Sequence, residues 1–217
     1  MEIKNWRQRL YDNSISPLLS ETLGLPKFVC DILAARKFDT VEKAADFLGE
    51  GEGFFDPFLL PDMEKAVDRI RKAIASEELI AIYGDFDCDG ITSTVVLYHY
   101  LESSGANVTY YIPQREEGYG LSKDAVDFVK KHGVGLIVTV DNGISAIEEV
   151  TYAASMGIDV VITDHHMPRE QLPQAVAVVD PHRTDGNGYF RNLAGVGVAF
   201  KLICALEGDN GDGVIEQ

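Results

Sequence analysis

With 217 residues, 46% of them hydrophobic, the chain can bury a core as one sizeable domain or as a domain with an attachment. Thirty-five acidic against nineteen basic side chains leave a formal charge of -16, which repels a nucleic-acid backbone unless cations reverse the local field. Three scattered cysteines without a C-x-x-C pair argue against a disulfide framework or a thiolate zinc cage, no apolar signal core opens the chain, and no apolar run reaches the length of a membrane span; the expectation is a soluble protein of the reducing cytoplasm.

In chain order, helical patterns around KFVCDILAARKF and TVEKAADFLGE precede the Gly- and Pro-marked stretch GEGFFDPFLLP. They predict a helical attachment over residues 1 to about 60, with Trp6 as an anchor. In PDMEKAVDRIRKAIASEE, the residues Met63, Ala66, Val67, Ile70, Ala73 and Ile74 fall at helical spacing. From Leu79 onward short β-rich runs alternate with helical ones. The strands read as LIAIYG (79–84), NVTYYIP (107–113), GLIVTV (135–140), IDVVIT (158–163) and AVAVVD (175–180), and the last helix as GVGVAFKLICALEG. Several of these runs are nearly all apolar, as strands covered on both faces are. The fold class is therefore α/β: a doubly wound, mainly parallel five-stranded sheet over residues 61–217, with ligands expected outside the carboxyl ends of its strands.

That scheme gathers the acids at one edge. Asp85, Asp87 and Asp89 follow the first strand, Asp141 the third, and Asp164, His165 and His166 the fourth. The spacing in DFDCDG imitates the first half of an EF-hand loop, but loop position twelve is Val96 and the preceding segment is a strand, so a calcium loop is excluded. In an extended segment alternate side chains share a face, which would aim all three aspartates at one site. Grouped carboxylates repel each other unless cations neutralise them. Aspartate with imidazole and no thiolate suits Mn²⁺ or Mg²⁺, and two such ions about 4 Å apart form the usual apparatus for in-line attack on phosphorus. Phosphoester hydrolysis is the chemistry this reading favours.

The motifs GDFDCDG, TVDNGIS, TDHH and AGVGVAF resemble those of the DHH phosphoesterase superfamily in order and placement. SPLLSETLGLPKFVCDILAARKF, PFLLPDMEKAV and YYIPQREEGYGLS extend the likeness, towards the exonucleases specific for single-stranded DNA. The resemblance implies a 5′-to-3′ exonuclease of DNA repair and recombination, with single-stranded DNA as substrate and single-strand-binding or other repair proteins as candidate partners. It makes Asp87 and Asp89 ligands of two ions with Asp85 beside them, Asp141 a bridge between the ions, and His165 a further ligand. His166 would touch the scissile phosphate, and Asp164 would support the histidine pair. Arg115, Gly195 and Gly197 are candidate phosphate contacts, the glycines through backbone N–H groups at a helix start. Asp180, His182 and Arg183 in VDPHR are read as turn residues rather than catalytic ones, and His99 and His132 as structural or solvent-facing.

Two departures from the family pattern stand out. Tyr83 occupies a position where the family commonly carries His, and the chain reaches GDGVIEQ before a further metal-binding Asp and the second domain of the relatives, so the expectation is an incomplete site with weak or absent activity. The rival functions are a DHH phosphoesterase of short oligonucleotides, cyclic dinucleotides or pyrophosphate, and a non-catalytic relative that binds nucleic acid or a replication partner.

Overall fold

The computed structural model describes residues 11–49, 55–186, 188 and 190–211. It divides into two compact units, Met1–Gly53 and Phe54–Gln217. The division lies upstream of the residue-60 boundary read from the sequence. The reason is packing: Leu60 is buried with the sheet core of the second unit, and the Lys201 ammonium donates to the Phe55 carbonyl at 2.7 Å.

The first unit contains α1 (Ser16–Leu23), α2 (Lys27–Ala35) and α3 (Val41–Leu48). Thr40 caps α3 by accepting from the Lys43 N–H at 3.2 Å, and Leu19, Cys30, Leu33 and Ala44 form the centre of a small core. Helix α1 had no counterpart in the sequence reading, because SPLLSETL is too short to show a clear apolar period. Trp6 lies outside the described residues.

The second unit is a five-stranded, wholly parallel sheet in the order β2-β1-β3-β4-β5. Its strands are β1 (Ile80–Tyr83), β2 (Val108–Tyr111), β3 (Leu136–Val140), β4 (Asp159–Thr163) and β5 (Ala177–Val179). Each begins and ends within two residues of its sequence expectation. The alternation of side chains divides every central strand between two cores. Ile80, Ile82, Leu136, Val138 and Val161 pack with α4 (Met63–Ala75), α5 (Cys88–Ser103) and α8 (Gly195–Glu207), whereas Ala81, Tyr83, Ile137, Val160 and Ile162 pack with α6 (Lys123–Lys131) and α7 (Ile147–Ser155). Because the chain leaves β1 towards β2 and returns to place β3 on the other side of β1, the strand order reverses between β1 and β3. A crevice opens at such a point, outside the carboxyl ends of the strands.

Strand β5 forms an edge, and a charged network covers it. The Arg183 guanidinium donates to the Val178 carbonyl at 2.6 Å and to Asp62 at 2.5 Å, and Asp62 in turn accepts from the Val178 N–H at 3.3 Å. Asp185 takes the remaining guanidinium donors at 3.0 and 2.6 Å. The exposed ladder groups of an edge strand are thereby occupied, a structural role that agrees with reading Arg183 as non-catalytic. Removing one partner of a largely buried charge pair leaves the others desolvated and unpaired. Arg183→Ala is therefore expected to cost about 3 kcal/mol, measured as a lower midpoint of urea unfolding; a loss below a few tenths of a kcal/mol would contradict this account of the edge.

Candidate metal centre at the strand-order reversal

Asp141 sits at the centre of the crevice, immediately after β3. Its side chain is almost fully buried, and its φ of 61° puts a non-glycine residue in the left-handed region, a conformation that costs energy and concentrates at functional sites. The surrounding turn holds it there. Asn142, also buried, donates to the Tyr83 carbonyl at 3.2 Å and the Val140 carbonyl at 2.9 Å, tying the ends of β1 and β3 together. The Tyr119 hydroxyl donates to the Asp141 carbonyl at 2.9 Å.

Two groups of potential ligand atoms share Asp141. One is Asp85, Asp87 and Asp141; the other is Asp141, His165 and His166, and within each group the donor atoms lie within 4.8 Å of one another. His165 Nε2 is 3.0 Å from Asp141 Oδ1 and 3.5 Å from Asp89 Oδ2. The 3.0 Å approach lacks hydrogen-bond geometry, so Asp141 Oδ1 has no hydrogen-bond partner among the described residues, nor does either carboxylate oxygen of Asp85. Buried polar oxygens are almost always paired, and those that are not call for an ion, water or catalytic role.

The electrostatics agree. Burial, followed by the charges of Asp89 and Asp87, pushes the Asp141 carboxyl up to about 7. Burial also raises Asp85, with the Asp87 charge adding to it. The residues present thus fit divalent cations: acids held close at an energetic cost, with oxygens and imidazoles directed at shared positions.

Asp89 is placed differently from expectation. The segment is not extended throughout: Asp87 is the N-cap of α5, accepting from the Gly90 N–H at 3.0 Å, so Asp89 lies on the first helical turn. Both of its oxygens accept from the N-terminus of α8, from the Gly195 N–H at 2.7 Å and the Val196 N–H at 2.9 Å. The metal-ligand grouping accordingly contains Asp85 and Asp87 but not Asp89. The Gly195 N–H, a candidate phosphate donor from the sequence, thus donates to a carboxylate of this chain. Close approach is what makes glycine necessary there, since a Cβ at Gly195 would fall 2.7 Å from Asp141 side-chain atoms. Gly197 packs near Leu193, with a Cβ position 3.0 Å from it.

Asp164 organises the histidine pair. Its Oδ1 accepts from the backbone N–H groups of His165 (2.7 Å) and His166 (3.1 Å) and lies 2.7 Å from His166 Nδ1, while Oδ2 accepts from the Ile144 N–H at 2.9 Å. Burial works against the His166 imidazolium, but the hydrogen bond and charge of Asp164 outweigh it and hold His166 above its ordinary value. Arg115 stands on the exposed loop after β2 with its guanidinium 5.4 Å from the Phe86 ring centre, a cation–π contact beside Asp85 and Asp87. Tyr83 directs its hydroxyl to the Gly120 carbonyl at 2.9 Å and stacks on Tyr111 at 5.3 Å; it belongs to the core face of β1. His99 and His132 lie on α5 and at the end of α6, outside both ligand groups.

Three residues escaped the sequence reading. Tyr119, 3.2 Å from His166 Nε2 as well as bonded to Asp141, was visible only as part of a glycine-rich loop. Asn142 follows Asp141 directly and had no separate signal. Asp180, set aside as a turn residue, is fully buried with Oδ2 unpaired, and burial raises its carboxyl to about 7.

The sequence pattern of the DHH family's N-terminal domain matches residues 79–216, the segment that builds this sheet and crevice. The chain belongs to the DHH family. Similar DHH relatives are the single-stranded-DNA-specific exonuclease RecJ of Bacillus subtilis, 44% identical over 97% of this chain and 27% of the relative, and that of Escherichia coli, 47% identical over 68% of this chain and 26% of the relative. Among solved structures, RecJ of Thermus thermophilus in complex with Mn²⁺ superposes with a TM-score of 0.68 at 26% identity, covering 93% of this chain and 28% of that one. This DHH chain therefore spans about a quarter of the length of the curated relatives it matches.

The raised carboxyls have two measurable consequences. Asp141 and Asp180 hold protons in the folded chain up to about pH 7, whereas in the unfolded chain they release them near the ordinary value of 3.8. Their stabilising contribution is fully present below about pH 4 and is lost as pH rises to about 7, so melting temperatures in EDTA should fall across that window and Mn²⁺ should restore more stability at pH 8 than at pH 5. Calorimetric titration with Mn²⁺ should show proton release and an affinity that drops about tenfold per pH unit below 7. Gly195→Ala should weaken Mn²⁺ binding by displacing α8 or Asp141; an unchanged dissociation constant would refute the close-packing account.

Proposed function

We propose that this chain carries the metal-binding part of a nuclease that hydrolyses phosphodiester bonds of single-stranded DNA, removing nucleotides from the 5′ end. The observation that supports it most is the sharing of the buried Asp141, whose Oδ1 lacks a hydrogen bond, between two ligand groups. Its relatives are named as exonucleases specific for single-stranded DNA, and the Thermus thermophilus structure contains Mn²⁺. In this reading Asp85, Asp87, Asp89, Asp141 and His165 hold two Mn²⁺ or Mg²⁺ ions. Divalent cations there would polarise a phosphodiester and lower the pKa of the attacking water.

The chain's own groups orient and balance charge. Asp164 fixes the His166 ring and favours its protonated form, so that His166 presents a positive edge to a phosphate oxygen. Asp89 locks α8 against Asp141 and thereby sets the spacing of the acidic cluster. Arg115, held over Phe86, offers its guanidinium to a second phosphate. Among the described residues no helix is long and apolar enough to cross a membrane; the reading places the protein in the cytoplasm, in DNA repair and recombination, with single-strand-binding or other repair proteins as its partner class.

The test is release of mononucleotides from 5′-phosphorylated single-stranded DNA with Mn²⁺, run on the chain and on the chain fused to the downstream segments of the Bacillus subtilis relative. Sequential release from the 5′ end by the fused protein is expected, and Asp141→Ala should reduce it by at least about a thousandfold, on the scale of losing a main electrostatic element of a site. Near-normal turnover by that variant would refute the shared-ligand geometry. Because the formal charge is -16, the chain alone should bind single-stranded DNA weakly in EDTA; tight, salt-resistant binding there would contradict this electrostatic account.

A further inference from the structure

The two edges of the sheet are finished differently. At β5 the Asp62 and Arg183 side chains occupy the outward N–H and C=O of Val178. At β2 the equivalent groups are left open. The Ile80 N–H donates to the Asn107 carbonyl at 2.9 Å and the Gly84 N–H to the Tyr111 carbonyl at 3.0 Å, so Asn107 and Tyr111 turn their peptide groups towards β1. Peptide groups alternate in direction along a strand. Those of Val108 and Tyr110 therefore point outward, and among the described residues no donor or acceptor meets them. Edges are ordinarily blunted by proline, charge, a bulge or a covering element. NVTYY has neither proline nor charge, its register with β1 runs without a bulge, and its β-branched and aromatic residues favour a strand.

Both faces beside this edge offer apolar contact. On one, Tyr110 is 59% exposed and its ring meets that of Tyr98 on α5 edge-on at 5.6 Å. On the other, the Tyr111 ring lies 5.4 Å from Phe128 of α6, which is 49% exposed. A carboxylate stands beside each pair. Glu102 accepts from the Tyr98 hydroxyl at 3.2 Å, and Glu117 accepts from the Tyr111 hydroxyl at 2.6 Å. Of the cations on the flanking segments, Arg115 is held over the Phe86 ring, and Lys130 and Lys131 stand in the last turn of α6, at the far end of that helix from Glu117.

We propose that β2 is a docking edge for an extended, basic segment of a partner protein, which joins the sheet as a further strand. Its backbone pairs with the outward groups of Val108 and Tyr110, and its alternate apolar side chains cover Tyr110 on one face and Phe128 on the other. Lysine or arginine in the segment reaches Glu102 and Glu117. Charge selects this occupant over a second copy of the chain. Two copies, each with a formal charge of -16, repel one another, whereas a basic segment is drawn to the same surface. The inference is independent of the nuclease reading, because β2 supplies no member of either ligand group.

The test follows backbone amides of the chain by NMR. In the free chain the Val108 and Tyr110 N–H groups should exchange with solvent at least about tenfold faster than those of Thr109 and Tyr111, which face β1. The probe is a blocked peptide in which alternating valines and threonines lie between pairs of lysines. It should shift the Val108 and Tyr110 amides and slow their exchange by about tenfold or more. The same peptide N-methylated along its central residues, and one with glutamate in place of lysine, should do neither. Glu102→Lys combined with Glu117→Lys exchanges exposed carboxylates for ammonium groups and should weaken binding about tenfold, on the scale of losing charge-assisted contacts. Slow exchange at Val108 and Tyr110 in the free monomer, no response at millimolar peptide, or equal binding of the N-methylated or glutamate peptide would overturn the proposal. Protection that grows with chain concentration, alongside a dimer in sedimentation, would overturn it in favour of a second copy.

Discussion

Mutual repulsion among carboxylates, two of them buried at adjacent strand ends, is the constraint on which the candidate site depends. Asp85 and Asp141 are buried at the ends of adjacent strands, with Asp87 and Asp89 close by. Water screens the buried pair poorly, and three of their oxygens have no hydrogen-bond partner among the described residues. The protein answers part of this cost internally. Asp87 receives a helix N-H, Asp89 receives two, and Asp164 receives four donors. What those donors leave unanswered is concentrated on Asp85 and Asp141, and that residue of negative potential is what a pair of divalent cations would neutralise.

The scaffold around the cluster is arranged to keep it from relaxing. The strand-order reversal puts the ends of β1 and β3 side by side, and Asn142 clamps them. The Tyr119 hydroxyl holds the carbonyl of Asp141, whose backbone is left-handed. Helix α8 presses its first turn against the same aspartate, with no room for a side chain at Gly195. Two parallel-sheet cores below the site, one for each face, supply the rigidity that lets these local costs persist. Strain, desolvation and like-charge proximity are all borne by the fold so that a ligand can relieve them.

Asp164 illustrates how one buried carboxylate can carry positional information. With both oxygens engaged it joins the β3–α7 turn, through Ile144, to both histidines after β4. Both imidazoles beside Asp141 are thus tied, through one anchor, to the backbone at Ile144. The turn after β3 and the segment after β4 are thereby held in one fixed arrangement.

The amino-acid sequence by itself determined the sheet. Near-continuous apolar runs such as LIVTV and DVVIT can be satisfied only as strands covered on both faces, and the intervening helical periods dictate parallel crossovers. It also determined that the acids of the first, third and fourth strand ends meet, because in a parallel sheet all carboxyl ends share one edge. Which oxygen does what was decided only in three dimensions. The alternate spacing of Asp85, Asp87 and Asp89 suggested equivalent roles, yet a helix begins at Cys88 and carries Asp89 around to α8. Nothing local to DFDCDG encodes that partner, which comes from a helix more than a hundred residues away. The same holds for Tyr119 and Asp141, and for the burial of Asp180. Strand identity is a property of neighbouring residues and their period, whereas desolvation and hydrogen-bond partnership depend on which distant segments the folded core brings into contact.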